Sequence, residues 1–187
     1  MALVESLPLA IGTKLEHFTL EDPTGKVYNS QELMGRSGLL IYVVCNHCPY
    51  NQAVWKRLVE VSEFASKVDV GTVAINPNIH PNYPEDSPSH MLDKIQEFKM
   101  KFPYLIDDKQ AVARSLQAAC TPDIYLFDAQ GALFYHGRLD DNWKDAKQVK
   151  QEELRDALML LFSGKQPPAS QLPSMGCSIK WIDTITG

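Results

Sequence analysis

Residues 38–51 read GLLIYVVCNHCPYN, and the change of pattern inside this stretch decides the fold. Gly38 to Val44 is an unbroken apolar run with β-branched residues, as expected of a strand buried on both faces. The run stops at Cys45. Beyond it Val54, Leu58, Val61 and Ala65 recur at spacings of four, three and four. That is one face of a helix covering roughly residues 47–67. Val70 to Ile75 is a second buried-strand candidate. Strand, helix and strand in this order predict a right-handed βαβ unit with parallel strands.

The flanking sequence extends this unit. Upstream, Phe18-Thr19-Leu20 and Val27-Tyr28 enclose the turn signal Asp22-Pro23-Thr24-Gly25 and predict a small hairpin. Downstream, residues 76–86 are a Pro- and Asn-rich loop whose Asn76 and Asn78 follow a strand end, where open α/β sheets place their sites. Ser87-Pro88 predicts a helix start with a serine cap, continued by Met91, Ile95, Phe98 and Phe102. Tyr104 to Ile106 reads as a short strand. Asp107-Asp108 reads as the cap of a helix through about Ala118. Ile124–Phe127 and Leu133–Leu139, separated by Asp128-Ala129-Gln130-Gly131, predict an antiparallel hairpin. Leu154, Ala157, Leu158, Leu161 and Phe162 mark a last helix. Residues 164–187 contain Pro167, Pro168 and Pro173, have no period, and read as an extended tail packed on the domain. The expectation is an α/β fold: a mixed central sheet with helices on both faces, an N-terminal hairpin extension and a C-terminal tail. It forms a single domain over residues 1–187, with its core at about 12–163.

Composition excludes several classes. The chain has 187 residues, 44% of them hydrophobic and 22% charged, which fits a globular domain and not a disordered one. Its longest uncharged apolar run, Gly38 to Cys45, is far shorter than the ~20 residues of a membrane span. The opening MALVESLPLAIG has no basic residue ahead of its apolar ones, unlike a secretory signal. A cytoplasmic location is therefore expected. A net charge of −5 without a basic tract argues against nucleic-acid and anionic-membrane partners. The four cysteines, Cys45, Cys48, Cys120 and Cys177, are too few for a disulfide-stapled mini-domain.

Cys45-Asn46-His47-Cys48-Pro49 stands where the strand hands over to the helix. Thiols three residues apart at a helix start can reach each other. Unpaired N–H groups and the positive end of the helix dipole favour the reactive thiolate there. An imidazolium at His47 would push the same way. The pair could instead bind zinc or copper. However, there is no second CxxC and no HxxxH, so a metal site would need Cys120, Cys177 or a histidine as well. Cys120-Thr121-Pro122-Asp123 precedes the hairpin and reads alone as a turn ahead of a strand. Cys120 suits a small buried hydrophobe. In the tail, Gly176-Cys177 suits either a packed anchor with Met175, Ile179 and Trp181, or a thiol folded back onto Cys45.

Together these features resemble the thioredoxin superfamily. Within it, CNHCPYN (45–51), YPEDSP (83–88), FPYLIDD (102–108), CTPDIYLFD (120–128) and GCSIKW (176–181) are similar to redoxin proteins of the AhpC/TSA-type thioredoxin-like domains. The resemblance implies a thiol–disulfide oxidoreductase with an antioxidant role, acting through a Cys45/Cys48 dithiol without a cofactor. It makes Cys45 the more exposed, attacking thiol and Cys48 the resolving one. Asn46, His47 and Pro49 shape the site. Pro122 is cis and faces the dithiol, and the Thr121 backbone pairs with an extended substrate. The implied partners are protein or low-molecular-weight disulfides and an electron-donating reductase. Cys120 and Cys177 are further candidate redox thiols. Tyr42 stands three residues before Cys45, where a peroxiredoxin carries Thr, so peroxidase chemistry at Cys45 is not expected. The alternative is a thioredoxin-fold copper or zinc module using the same cysteines.

Overall fold

A computed structural model describes residues 3–182; the first two residues and the last five of the predicted tail lie outside it. The described chain runs β1 (Leu3–Glu5), β2 (Thr19–Glu21), β3 (Val27–Asn29), α1 (Ser30–Leu33), β4 (Gly38–Val43), α2 (Pro49–Lys67) and β5 (Val70–Asn76). It continues through α3 (Pro88–Phe98), β6 (Tyr104–Ile106), α4 (Ala111–Ser115), β7 (Cys120–Thr121), β8 (Asp123–Asp128), β9 (Leu133–His136), α5 (Glu153–Phe162) and β10 (Met175–Ser178).

Seven strands form a mixed sheet in the order β3-β2-β6-β5-β4-β8-β9. β4 is parallel to β5 and antiparallel to β8, and every residue of β4 is buried. Side chains alternate across a strand, so an apolar run of period one must serve two cores. Leu40, Tyr42 and Val44 pack with Val54, Trp55 and Leu58 of α2, Met91 of α3 and Leu154 of α5. Leu39, Ile41 and Val43 pack on the other face with Val112, Ala113 and Leu116. Helices thus cover both faces, as the sequence predicts, and β2–β3 and β8–β9 are the two predicted hairpins. No helix among the described residues is long and apolar enough to cross a membrane.

Several boundaries differ from the expectation. α3 ends at Phe98 because Lys99 turns left-handed at φ 50°, although Phe102 still packs into the same core. Ser87 precedes α3 without capping it; its hydroxyl bonds His90 Nδ1 at 2.7 Å. α4 is a short helix after Gln110. Asp107 accepts the Ala113 N–H at 2.8 Å from outside its first turn. β9 stops at His136, short of the expected Leu139.

The larger difference is in the tail. Residues read as periodless contain β10, the middle strand of a separate sheet, β1-β10-β7, antiparallel on both sides. Its register places Cys177 opposite both Leu3 and Thr121. Beyond β10, Asn78 Oδ1 accepts the Lys180 N–H, and Gln110 Oε1 accepts that of Ile182, each at 2.9 Å. Gly176 permits the close approach: a Cβ there would lie 2.0 Å from the Thr121 carbonyl oxygen. A Gly176→Ala substitution should therefore cost about 1–3 kcal/mol in urea unfolding. It should also expose Cys177 to alkylation in the native protein, where the wild-type residue is buried.

Candidate active site

The segment 45–48 leaves the end of β4 and turns directly into α2. Cys48 is the N-cap residue and Pro49 the first helical residue, which suits a proline because no N–H is needed there. The turn is held from several directions. Asn51 Nδ2 donates to the Cys45 carbonyl at 2.7 Å, and Gln52 Nε2 to that of Asn46 at 3.1 Å. Tyr104 donates its hydroxyl to Asn46 Oδ1 at 3.1 Å, while Asn46 Nδ2 donates to the Glu85 carbonyl at 2.9 Å.

Asp86, wholly buried in the Pro84–Asp86 turn of 3₁₀ helix, is the centre of this network. Its Oδ1 accepts the Asn46 backbone N–H at 2.5 Å and Asn76 Nδ2 at 3.2 Å. Its Oδ2 pairs with His47 Nδ1. The His47 ring also stacks on Tyr83, with centroids 4.9 Å apart. His47 Nε2 is buried without a hydrogen-bond partner.

The opposite wall is the chain ahead of β8. The Thr121–Pro122 peptide bond is cis, in agreement with the resemblance. Cys45 Sγ lies 3.3 Å from Thr121 Oγ1, and the Cys48 thiol donates to the Thr121 carbonyl at 3.0 Å. Cys45 and Cys48 both have zero exposure, so the expectation of a more exposed Cys45 is corrected. The end of β4 is roofed by the 77–87 loop and by β10, neither of which the strand pattern announced.

All four cysteines are thiols. Cys45, Cys48 and Cys177 form one cluster, with Tyr50 packed against it. Cys120 stands apart; its thiol donates to the Pro122 carbonyl at 3.5 Å, and burial pushes its ionisation up. The three clustered thiols are not equivalent. The hydrogen bond from Cys45 lowers Cys48 to about 5 despite burial, helped by Cys177 and by the Asn51 and Cys177 backbone N–H groups. Ionisation of Cys48 forfeits its bond to the Thr121 carbonyl. Burial raises Cys45 well above an ordinary thiol, with the Cys48 bond and the Asp86 charge adding to it. Burial and the bond to Cys48 raise Cys177 to about 12. The arrangement puts the Cys48 sulfur at the helix start among the Cys45 and Cys177 thiols, and its contacts favour ionisation of Cys48 over its two neighbours.

Sequence reasoning missed Asp86, Asn51, Tyr83 and Tyr104. Asp86 and Tyr83 lie in the quoted YPEDSP motif, but nothing local to that motif points to a partner 39 residues upstream. One atom each from Cys45, His47 and Asp86 lies within 4.8 Å of the others, a donor set that could hold a metal ion and that leaves out Cys48.

The Redoxin family profile matches residues 10–154. An uncharacterized conserved protein from Geobacillus kaustophilus is 39% identical, covers 97% of both chains and superposes with a TM-score of 0.92. A hypothetical protein from Sinorhizobium meliloti is 32% identical, over 95% of this chain and 97% of its own, at 0.89. A secreted Mycobacterium tuberculosis disulfide oxidoreductase shares the thioredoxin-like fold at 15% identity and 0.58, over 76% of this chain and 94% of its own. No curated protein matches the chain.

Two outcomes follow from this geometry. On acidification the reduced chain should lose its thiolate ultraviolet absorbance with a midpoint near 5, and Cys48→Ser should abolish that step. Asp86→Ala leaves the His47 ring and two N–H donors unpaired in a buried site. It should destabilise the chain by about 3–5 kcal/mol in chemical unfolding.

Proposed function

The chain belongs to the Redoxin family, and we propose that it is a thiol–disulfide oxidoreductase with an antioxidant role, working through Cys48 and Cys45. The observation that carries this reading is the Cys48 sulfur, which stands at the N-cap of α2, clusters with the Cys45 thiol and donates to the Thr121 carbonyl at 3.0 Å. Thiolate is the nucleophile of disulfide exchange. In this reading Cys48, at the helix N-cap, attacks, whereas the resemblance gives that role to Cys45.

The steps balance without a cofactor. Cys48 Sγ attacks one sulfur of a substrate disulfide, and the other leaves as a thiolate that takes up a proton. Cys45 then loses its proton and attacks Cys48 Sγ. A Cys45–Cys48 disulfide forms as the second substrate thiol departs. Two thiols of the protein are oxidised and one substrate disulfide is reduced to two thiols. A reductase must return the electrons. Substrates are protein or low-molecular-weight disulfides, and reaching the buried pair requires the 77–87 loop or the tail to move aside.

A second reading, a zinc or copper module, rests on the Cys45, His47 and Asp86 donor set. It requires stoichiometric metal that is retained on purification and lost in His47→Ala.

The redox reading is tested with glutathione disulfide and insulin. A Cys177→Ser chain treated with glutathione disulfide should yield a Cys45–Cys48 linked peptide on mass mapping. Cys48→Ser should reduce insulin no faster than a free thiol in solution. A Cys48→Ser chain with wild-type turnover would rule the mechanism out.

A further inference from the structure

The Cys48 sulfur has two thiol neighbours, Cys45 and Cys177, and disulfide exchange with Cys45 uses only one of them. Cys177 belongs to the same buried cluster as Cys45 and Cys48, and its thiol hydrogen-bonds Cys48. Strand pairing on both sides fixes its position: Leu3 of β1 faces it from one side and Thr121 of β7 from the other. Its neighbour Gly176 has no room for a Cβ against the Thr121 carbonyl, the same oxygen that Cys48 contacts at 3.0 Å. β10 therefore lies against the segment before Pro122 as an added antiparallel strand, with Cys177 in register with Thr121 and clustered with Cys48.

We propose that Cys177 is a second resolving thiol for Cys48, delivered by the tail strand β10. This rests on the redox reading of Cys48 given above. When Cys48 holds a mixed disulfide with substrate, Cys177 gives up its proton and attacks Cys48 Sγ. The bond between Cys48 and substrate breaks, a Cys48–Cys177 disulfide forms, and the proton passes to the departing substrate thiolate. The two electrons come from Cys48 and Cys177, and the substrate disulfide is the oxidant. Cys45 remains a thiol in this product. It can attack Cys48 in turn, which forms the Cys45–Cys48 disulfide and returns a proton to Cys177. The tail thus alternates between a covalent tether to α2 and release from it. An intramolecular thiol in a fixed register competes at high effective concentration with any thiol from solution.

The test uses full-length Cys45→Ser, with Cys45→Ser/Cys177→Ser as its control and glutathione disulfide as the probe. In Cys45→Ser the glutathione adduct on Cys48 should be short-lived and give way to a Cys48–Cys177 linked peptide on mass mapping. In the double variant the adduct should persist. An adduct that lasts equally long in both variants, with no linked peptide, overturns the inference. If Cys177→Ser still forms the Cys45–Cys48 disulfide in that case, the redox reading survives alone. If Cys48 takes up no glutathione in any variant, the inference and the redox reading fail together. A second measurement does not depend on the Cys45 substitution: wild-type chain oxidised briefly and quenched in acid should show both Cys45–Cys48 and Cys48–Cys177 peptides. Finding Cys45–Cys48 alone counts against the role of Cys177.

Discussion

Asp86 has no exposure, and its two oxygens are occupied by the Asn46 amide, the His47 ring and the Asn76 side chain. A carboxylate in that position is tolerable only while its donors stay in place, because an unpaired buried charge is far more costly than a paired one. The requirement ties three distant pieces of chain together: the exit of β4, the exit of β5 and the 77–87 loop. With them fixed, the chain has one path from strand to helix, and the sulfur of Cys48 lands at the helix start. The Asp86 charge also opposes ionisation of Cys45. The same side chain that shapes the turn therefore helps to decide which of two neighbouring cysteines carries the negative charge.

The sheet supplies the rigid part of the arrangement. β4 is covered on both faces, so its end cannot shift without disturbing two cores. β8 pairs with β4 along six positions and presents Thr121 and Pro122 just ahead of that pairing. Behind them Asp123 accepts the Tyr125 hydroxyl and bonds His136 Nε2, each at 2.9 Å, which anchors the far side of the proline. The sulfurs are thus set between two elements that share one sheet. Of the parts that close over them, the tail is held by strand pairing of β10, by Ile179 and Trp181 in the core beneath β4, and by polar contacts such as the Lys180 amide on Asn78 and the Gln110 side chain on the Lys180 carbonyl.

Much of this was legible in the residues, for physical reasons. Gly38 to Val44 reads as a doubly covered strand because six successive apolar side chains, Leu39 to Val44, alternate onto two faces that must both be buried. The period of α2 and the Pro122 turn were equally readable. β10 was not legible, since Met175-Gly176-Cys177-Ser178 has neither alternation nor strong strand preference, and it is a strand only because β1 and β7 flank it. Nor could the sequence show which cysteine ionises more readily. Spacing made Cys45 and Cys48 equivalent members of a pair; the difference lies in burial, in the Asp86 charge and in a third thiol brought from 129 residues away in sequence.

The small sheet β1-β10-β7 joins residue 3 to residue 177, almost the full length of the chain. Contacts of such sequence separation carry the largest loop-closure cost. A nascent or partly folded chain with the seven-stranded sheet already assembled would still have Cys48 unroofed on the tail side. Thiol accessibility then reports on docking of the tail: Cys48 and Cys177 become buried when β10 pairs with β1 and β7. It also gives the polypeptide a period of exposed, unguarded thiolate chemistry before its own tail arrives.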